Sequence, residues 1–332
     1  MSNQSLQTIG PLLACAISDA YGAGFEFTKD SYIKKHNRMQ GYTPHPKFER
    51  PEGAYTDDTQ MALGVAEHML SDDAWTPGAL ATRFVTGFHR DPHTGYAHHF
   101  YNFLLKTHTG DEFLQNIQPH STKNGGAMRA FPCGFLIEAF EVRDKAMFQA
   151  SLTHATYDGM QAAAAAALTF HFCYHNVGPR EELGAYLEGF LPGTNWTLGL
   201  DPAGHPVGAV PTVQKAIGIL LRCKSVCHAI EMAVSLGGDT DTVAAIVAPC
   251  AAVCEGIPHL IPEVLFTRLE HGKFGRDYLI KLDGELKAKF PPQRDSIEPK
   301  VAAKPPKPKP SKPKPEDSTD PEGPLDFLFQ DN

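Results

Sequence analysis

The chain has 332 residues, 42% apolar and 20% charged, with a formal net charge of −8. That is enough apolar chain for one large domain or two modest ones, and the acidic balance argues against a broadly nucleic-acid-binding surface. No apolar run reaches the length of a membrane span, and the N-terminus lacks a charged stretch ahead of an apolar core, so neither a membrane partner nor a signal peptide is expected and the location expected is cytoplasmic.

Strand signals are sparse and helical signals dominate. Helices are expected over 5–20, 57–70, 77–89, 97–106, 126–140, 144–152, 159–175, 180–188, 208–221, 225–235, 241–254 and 262–270, joined by segments rich in Gly, Pro, Asn and Asp. The expectation is an all-α domain over 1–290. From 291 to 332 the sequence is dense in proline and lysine with little to bury, which reads as a disordered or polyproline-like tether. It closes on GPLDFLFQDN, where Leu325, Phe327, Leu328 and Phe329 could form a docking peptide for a partner.

Seven cysteines (Cys15, Cys133, Cys173, Cys223, Cys227, Cys250 and Cys254) show no small-scaffold spacing, which suits a reducing compartment. Cys223/Cys227 and Cys250/Cys254 are i,i+4 pairs, but their Ala/Val/Leu-rich helical surroundings favour buried thiols over zinc ligands. His171 and His175 share a helix face without a third ligand nearby, and read as packed.

Two short acidic stretches carry the chemistry. In AYTDDTQM, Thr56 reads as an N-cap, with Asp57 and Asp58 in the first turn, where the helix dipole favours negative charge. Capping accounts for that stretch by itself. Far along the chain, however, SLGGDTDTVAAIV opens another apolar helix with Asp239, Thr240, Asp241 and Thr242. A cap needs one oxygen, and each stretch offers several. If the two helix starts face each other, they assemble a hard oxygen donor set suited to Mg²⁺ or Mn²⁺ and poor for zinc. A third stretch, AISDAYGAGFEF, brings Asp19 and Glu26 around Gly22 and Gly24. Asp19 would support a ligand from behind, and Glu26 would be a ligand or a proton-transfer group, although a helix C-terminus with glycines explains the stretch equally well.

Taken together, SDAYGAGFE, TDDTQM, the glycine-rich KNGGAMRAFPCG, LTHATYDGM and GGDTDT resemble, in order and spacing over 10–255, the ADP-ribosylglycohydrolase family. Ser18 stands where the family pattern has glycine. The resemblance implies an orthogonal all-helical bundle with a binuclear metal cleft holding two Mg²⁺ (or Mn²⁺) ions. It implies that Thr56, Asp57 and Asp58 bind one ion, Asp239 and Thr242 the other, and that Asp241 bridges. Glu26 matches a mobile glutamate that meets an ion or the substrate. Asn124, Gly125, Gly126, Ala127, Met128 and Arg129 match a loop around the diphosphate and ribose, and His154 a histidine near them. Tyr96 could border the substrate, or be a packed aromatic. The implied activity is Mg²⁺-dependent release of ADP-ribose from a modified protein or small molecule. Arginine is the leading acceptor; serine, nucleobase and metabolite linkages, or a binding module without turnover, are the alternatives.

Overall fold

The computed structural model describes residues 6–47, 49–198 and 205–293, so the expectations for the Pro/Lys-rich tail and its terminal peptide lie outside the described residues. The helices, in chain order, are α1 (Pro11–Ala23), α2 (Asp30–His36), α3 (Asp57–Leu70), α4 (Pro77–Arg90), α5 (His98–Leu105), α6 (Gly110–Asn116), α7 (Gly125–Met128) and α8 (Ala139–His154). They continue with α9 (Tyr157–Tyr174), α10 (Leu183–Phe190), α11 (Ala209–Arg222), α12 (Val226–Ser235), α13 (Thr240–Val253), α14 (Glu263–Arg268) and α15 (Arg276–Lys289). The architecture is all-α, as the sequence suggests. One small antiparallel pairing joins β1 (Leu6–Thr8) to β2 (Leu260–Pro262), with Gln7 opposite Ile261.

Three helices form the centre. All of α1 is buried, as is α13 up to Ala252, and α9 is buried from Ala162 to Tyr174. Such helices lack a polar face because neighbours surround them. Alanine-rich surfaces let them approach closely, and α1 meets α13 where a Cβ on Gly22 would lie 2.5 Å from the Asp241 Cα. Local sequence sets many of the starts. The side-chain oxygens of Thr76, Thr109, Thr156 and Ser225 each accept a backbone N–H in the first turn of α4, α6, α9 and α12.

Several boundaries differ from expectation. The helix expected over 5–20 begins at Pro11, since proline at the first helical position is preorganised, and β1 precedes it. The helix expected over 126–140 is broken into α7, a 3-10 turn at Phe131–Phe135 containing Pro132, and the start of α8. Three helices had not been expected: α2, α6 and α15. The last buries Leu279, Leu282 and Leu286, and its continuation remains tied to the body, Tyr174 donating to the Phe290 carbonyl and the Gln293 N–H to His175.

Candidate functional site

The starts of α3 and α13 and the end of α1 converge. At the α13 start, Gly237 and Gly238 are both left-handed, at φ 70° and 72°, a succession that side chains with a Cβ resist. This turn delivers Asp239 as the residue before the helix and Asp241 in its first turn. The Thr240 hydroxyl donates to the Gly22 carbonyl at 2.8 Å, fastening α13 to α1.

At the α3 start, Thr56 sits in the N-cap position but does not cap its own helix. Its hydroxyl donates to Asp19 Oδ1 at 2.8 Å and faces Asp58 Oδ2 at 3.3 Å. The cap comes from α1 instead. Asp19, wholly buried, accepts the Thr56 N–H at 2.9 Å, the Thr59 N–H at 3.1 Å and the Thr59 hydroxyl at 2.6 Å. Asp19 therefore holds the strand of chain that carries Asp57 and Asp58.

Among the described residues, two groups of three potential ligand atoms lie within 4.8 Å of one another: Asp19, Asp58 and Asp241, and Glu26, Asp239 and Asp241. Asp241 is common to both. Cysteine and histidine appear in neither, so the thiol pairs and His171/His175 assemble no such group there. Asp57 also stands outside them; its Oδ1 faces Gly95, where a Cβ would come within 2.3 Å. Asp58 Oδ1 is buried and has no hydrogen-bond partner among the described residues. Burial, followed by the neighbouring carboxylates, pushes the Asp57, Asp58 and Asp241 pKa values well above the usual range. A cation would invert that balance. An all-oxygen set with a buried, unsatisfied oxygen fits a hard divalent ion.

The glycine-rich loop borders this cluster. Asn124 donates to Asp239 Oδ2 at 2.8 Å, and a Cβ on Gly125 would stand 3.0 Å from the His154 ring. His154 is mostly buried; its Nδ1 lies 2.7 Å from the Thr153 hydroxyl, and burial lowers its pKa to about 3, so the ring is neutral. Gly126, Ala127 and Met128 are buried in the short α7. The Arg129 side chain is committed elsewhere: it is 1% exposed, donates to Gln149 and Thr153, and lies over Phe84. Tyr96 is likewise a packed aromatic, its hydroxyl donating to Gln60 and its ring edge-on to Phe88. Thr242, buried in the first turn of α13, donates its N–H to Asp241 Oδ1 at 3.0 Å.

One residue at the site had no signal in the sequence. Arg50 pairs with Glu26 at 2.8 Å and approaches Asp241 Oδ2 at 3.9 Å. A lone arginine in a loop without periodicity gives no hint of such a contact.

The family model described as ADP-ribosylglycohydrolase matches residues 3–296. The chain belongs to this family. It is a glycoside hydrolase acting on ADP-ribosylated substrates. ADP-ribosylhydrolase ARH3 of Homo sapiens is 26% identical over 312 residues, covering 76% of this chain and 85% of that protein. ADP-ribosylarginine hydrolase Tri1 of Pseudomonas putida (strain GB-1) is 23% identical over 271 residues, covering 76% and 72%. A solved ADP-ribosylglycohydrolase-related protein complex superposes with a TM-score of 0.63 at 23% identity, covering 84% of this chain and 96% of its own, which shows the shared fold. No described helix of this family member is long and apolar enough to cross a membrane.

Proposed function

We propose that the chain uses two Mg²⁺ ions, bridged by Asp241, to hydrolyse the bond between ADP-ribose and an arginine side chain. One observation carries the two-ion part: Asp241 belongs to both carboxylate groups, while the buried Asp58 Oδ1 lacks a hydrogen-bond partner among the described residues. Thr56, Asp57 and Asp58 would hold the ion on one side, and Asp239, Thr242 and Glu26 the ion on the other. When bound, the ions supply a positive field that polarises ribose hydroxyls or a water at the anomeric carbon.

The protein's own groups do the rest. Gly125 and Gly126 would offer backbone N–H groups to a diphosphate, and Asn124 ties that loop to Asp239. Neutral His154 offers a hydrogen bond without added charge. Burial raises the Glu26 pKa in the ion-free protein, and Glu26 is the carboxyl that would exchange a proton at the leaving group. The arginine acceptor is supported by the acidity of the cleft, by the geometry with which Glu26 already receives a guanidinium at 2.8 Å, and by the similarity to a hydrolase named for that linkage.

The test is ADP-ribose release from arginine-linked, serine-linked and small-molecule ADP-ribose, with Mg²⁺ and with EDTA. Fastest release from the arginine linkage, abolished by EDTA, is expected. Full activity in EDTA would overturn the ion requirement, and faster release from another linkage would replace the acceptor.

A further inference from the structure

The described chain from Asn37 to Tyr55 contains neither helix nor strand, yet side chains pin it at several points. The Tyr21 hydroxyl accepts the N–H groups of Arg38 and Met39, both at 3.0 Å. Tyr32 donates to the Pro44 carbonyl at 2.8 Å and Tyr42 to the Leu265 carbonyl at 2.7 Å. A ring nitrogen of His45 meets the Glu26 carbonyl oxygen at 2.7 Å.

Arg50 follows this pinned stretch. Its Nη2 lies 2.8 Å from Glu26 Oε2, and its Nη1 lies 3.9 Å from Asp241 Oδ2 and 3.5 Å from the Ala23 carbonyl. The Arg50 and Glu26 side chains are only 14% and 15% exposed. Two of the three carboxylates in the Glu26–Asp239–Asp241 group therefore already face a cation that belongs to the chain. A guanidinium carries a single, delocalised charge and cannot satisfy three carboxylates packed within 4.8 Å. A divalent ion in direct contact can, but it needs the carboxylate oxygens that Arg50 faces.

We propose that Arg50 is a tethered cation standing at the second ion position, and that an ion binds Glu26, Asp239 and Asp241 by displacing its guanidinium. The proposal rests on the two-ion reading above. It makes the two positions unequal. On the Asp58 side Arg50 approaches the shared Asp241 at 3.9 Å, whereas on the Glu26 side it is bonded at 2.8 Å, and that side fills only as Arg50 withdraws. Until then Arg50 holds Glu26 in place, which makes it a positioning residue for that carboxylate.

Calorimetric titration of the whole protein with Mn²⁺ tests this, using wild type, Arg50→Met, Glu26→Gln and the double variant. Methionine keeps the apolar stem and removes the charge. Two sites are expected in wild type, and Arg50→Met should tighten the weaker one by about tenfold while leaving the tighter one unchanged. In the Glu26→Gln background, Arg50→Met should have a much smaller effect. A second measurement needs no variant: phenylglyoxal labelling of Arg50 in wild type, followed by mass spectrometry, should be faster in saturating Mn²⁺ than in EDTA. Two ions binding wild type and Arg50→Met with equal affinities, or labelling no faster with Mn²⁺, would overturn this proposal alone. Absence of Mn²⁺ binding to both proteins would overturn the two-ion reading and the proposal with it.

Discussion

Replacing Asp19 by asparagine should loosen the α3 start without leaving a hole. In the native protein the carboxylate accepts from the Thr56 N–H and hydroxyl and from the Thr59 N–H and hydroxyl, at 2.6 to 3.1 Å. Three of these donors meet Oδ2 and one meets Oδ1. The least damaging asparagine orientation keeps its oxygen at the Oδ2 position. The amide nitrogen then faces the Thr56 hydroxyl, which can accept and turn its own proton to Asp58. Three bonds lose their charge assistance, at about 1 kcal/mol each, the difference between charged and neutral hydrogen bonds. Relief of the burial penalty that raises the Asp19 pKa offsets part of this. A net loss of about 2 kcal/mol is expected, or about 3 °C in Tm for a chain of this size. Asp19→Ala, which leaves the Thr56 and Thr59 N–H groups buried and unmet, should cost about 4 kcal/mol. Thermal unfolding in EDTA measures both, and Mn²⁺ affinity should fall in parallel because Asp57 and Asp58 lose their fixed register. A Tm for Asp19→Asn within about 1 °C of wild type would refute the argument that Asp19 caps α3.

Asp241→Ala should lower kcat by at least about a hundredfold, as expected for a principal electrostatic group, and should raise Tm in EDTA because it relieves repulsion among Glu26, Asp239 and Asp58; kinetics and thermal unfolding check the two halves separately. Glu26→Gln should retain ADP-ribose binding by calorimetry while hydrolysis falls strongly, and normal turnover would move the proton-transfer role elsewhere. Asp283, part-buried against the α1 start, has its pKa raised by burial from 3.8 to about 7. Because the folded value is the higher, its contribution to stability is greatest below pH 4 and is lost as pH rises to about 7, a span of at most about 4 kcal/mol; urea unfolding in EDTA from pH 5 to 8 should show the larger part of this decline, and Asp283→Asn should flatten it. A chain ending after Arg294 should hydrolyse a small ADP-ribosylated substrate normally, whereas one ending at Phe290 loses the Gln293–His175 bond and should melt earlier, both readable by steady-state kinetics and Tm.

The sequence made the two acidic helix starts legible because each combines a turn, a pair of acids and an abrupt apolar helix within a few residues. It made the central helices legible through their unbroken apolar character. Contacts set by chain segments far apart were not legible. Thr56 has the composition of an N-cap, yet a better acceptor reaches the same N–H groups from α1. Arg129 lies in a glycine-rich loop with the look of a ligand site, but its side chain finds Gln149 and Thr153 on α8. Helix α15 shows the right spacing at Leu279, Leu282 and Leu286, but its charged faces and the Pro/Lys-rich sequence after it mask the short apolar stripe.

These distant contacts also form a connected device. Asp283 on α15 accepts the N–H groups of Leu12 and Leu13 at 2.8 and 3.1 Å, capping α1. Seven residues beyond Leu12 on α1, Asp19 caps α3, whose first turn carries Asp57 and Asp58. Gly22, one turn further, sets the approach of α13, whose first turn carries Asp241. Each helix start is thus satisfied by a carboxylate or close packing from another helix, and α1 is the shared reference for both sides of the acidic cluster. Repulsion among the carboxylates tends to push the α3 and α13 starts apart. What holds them is attachment to one rigid, fully buried helix, which explains why α1 contributes positioning through Asp19, Gly22 and the turn to Glu26 even though its own sequence looks mainly like core.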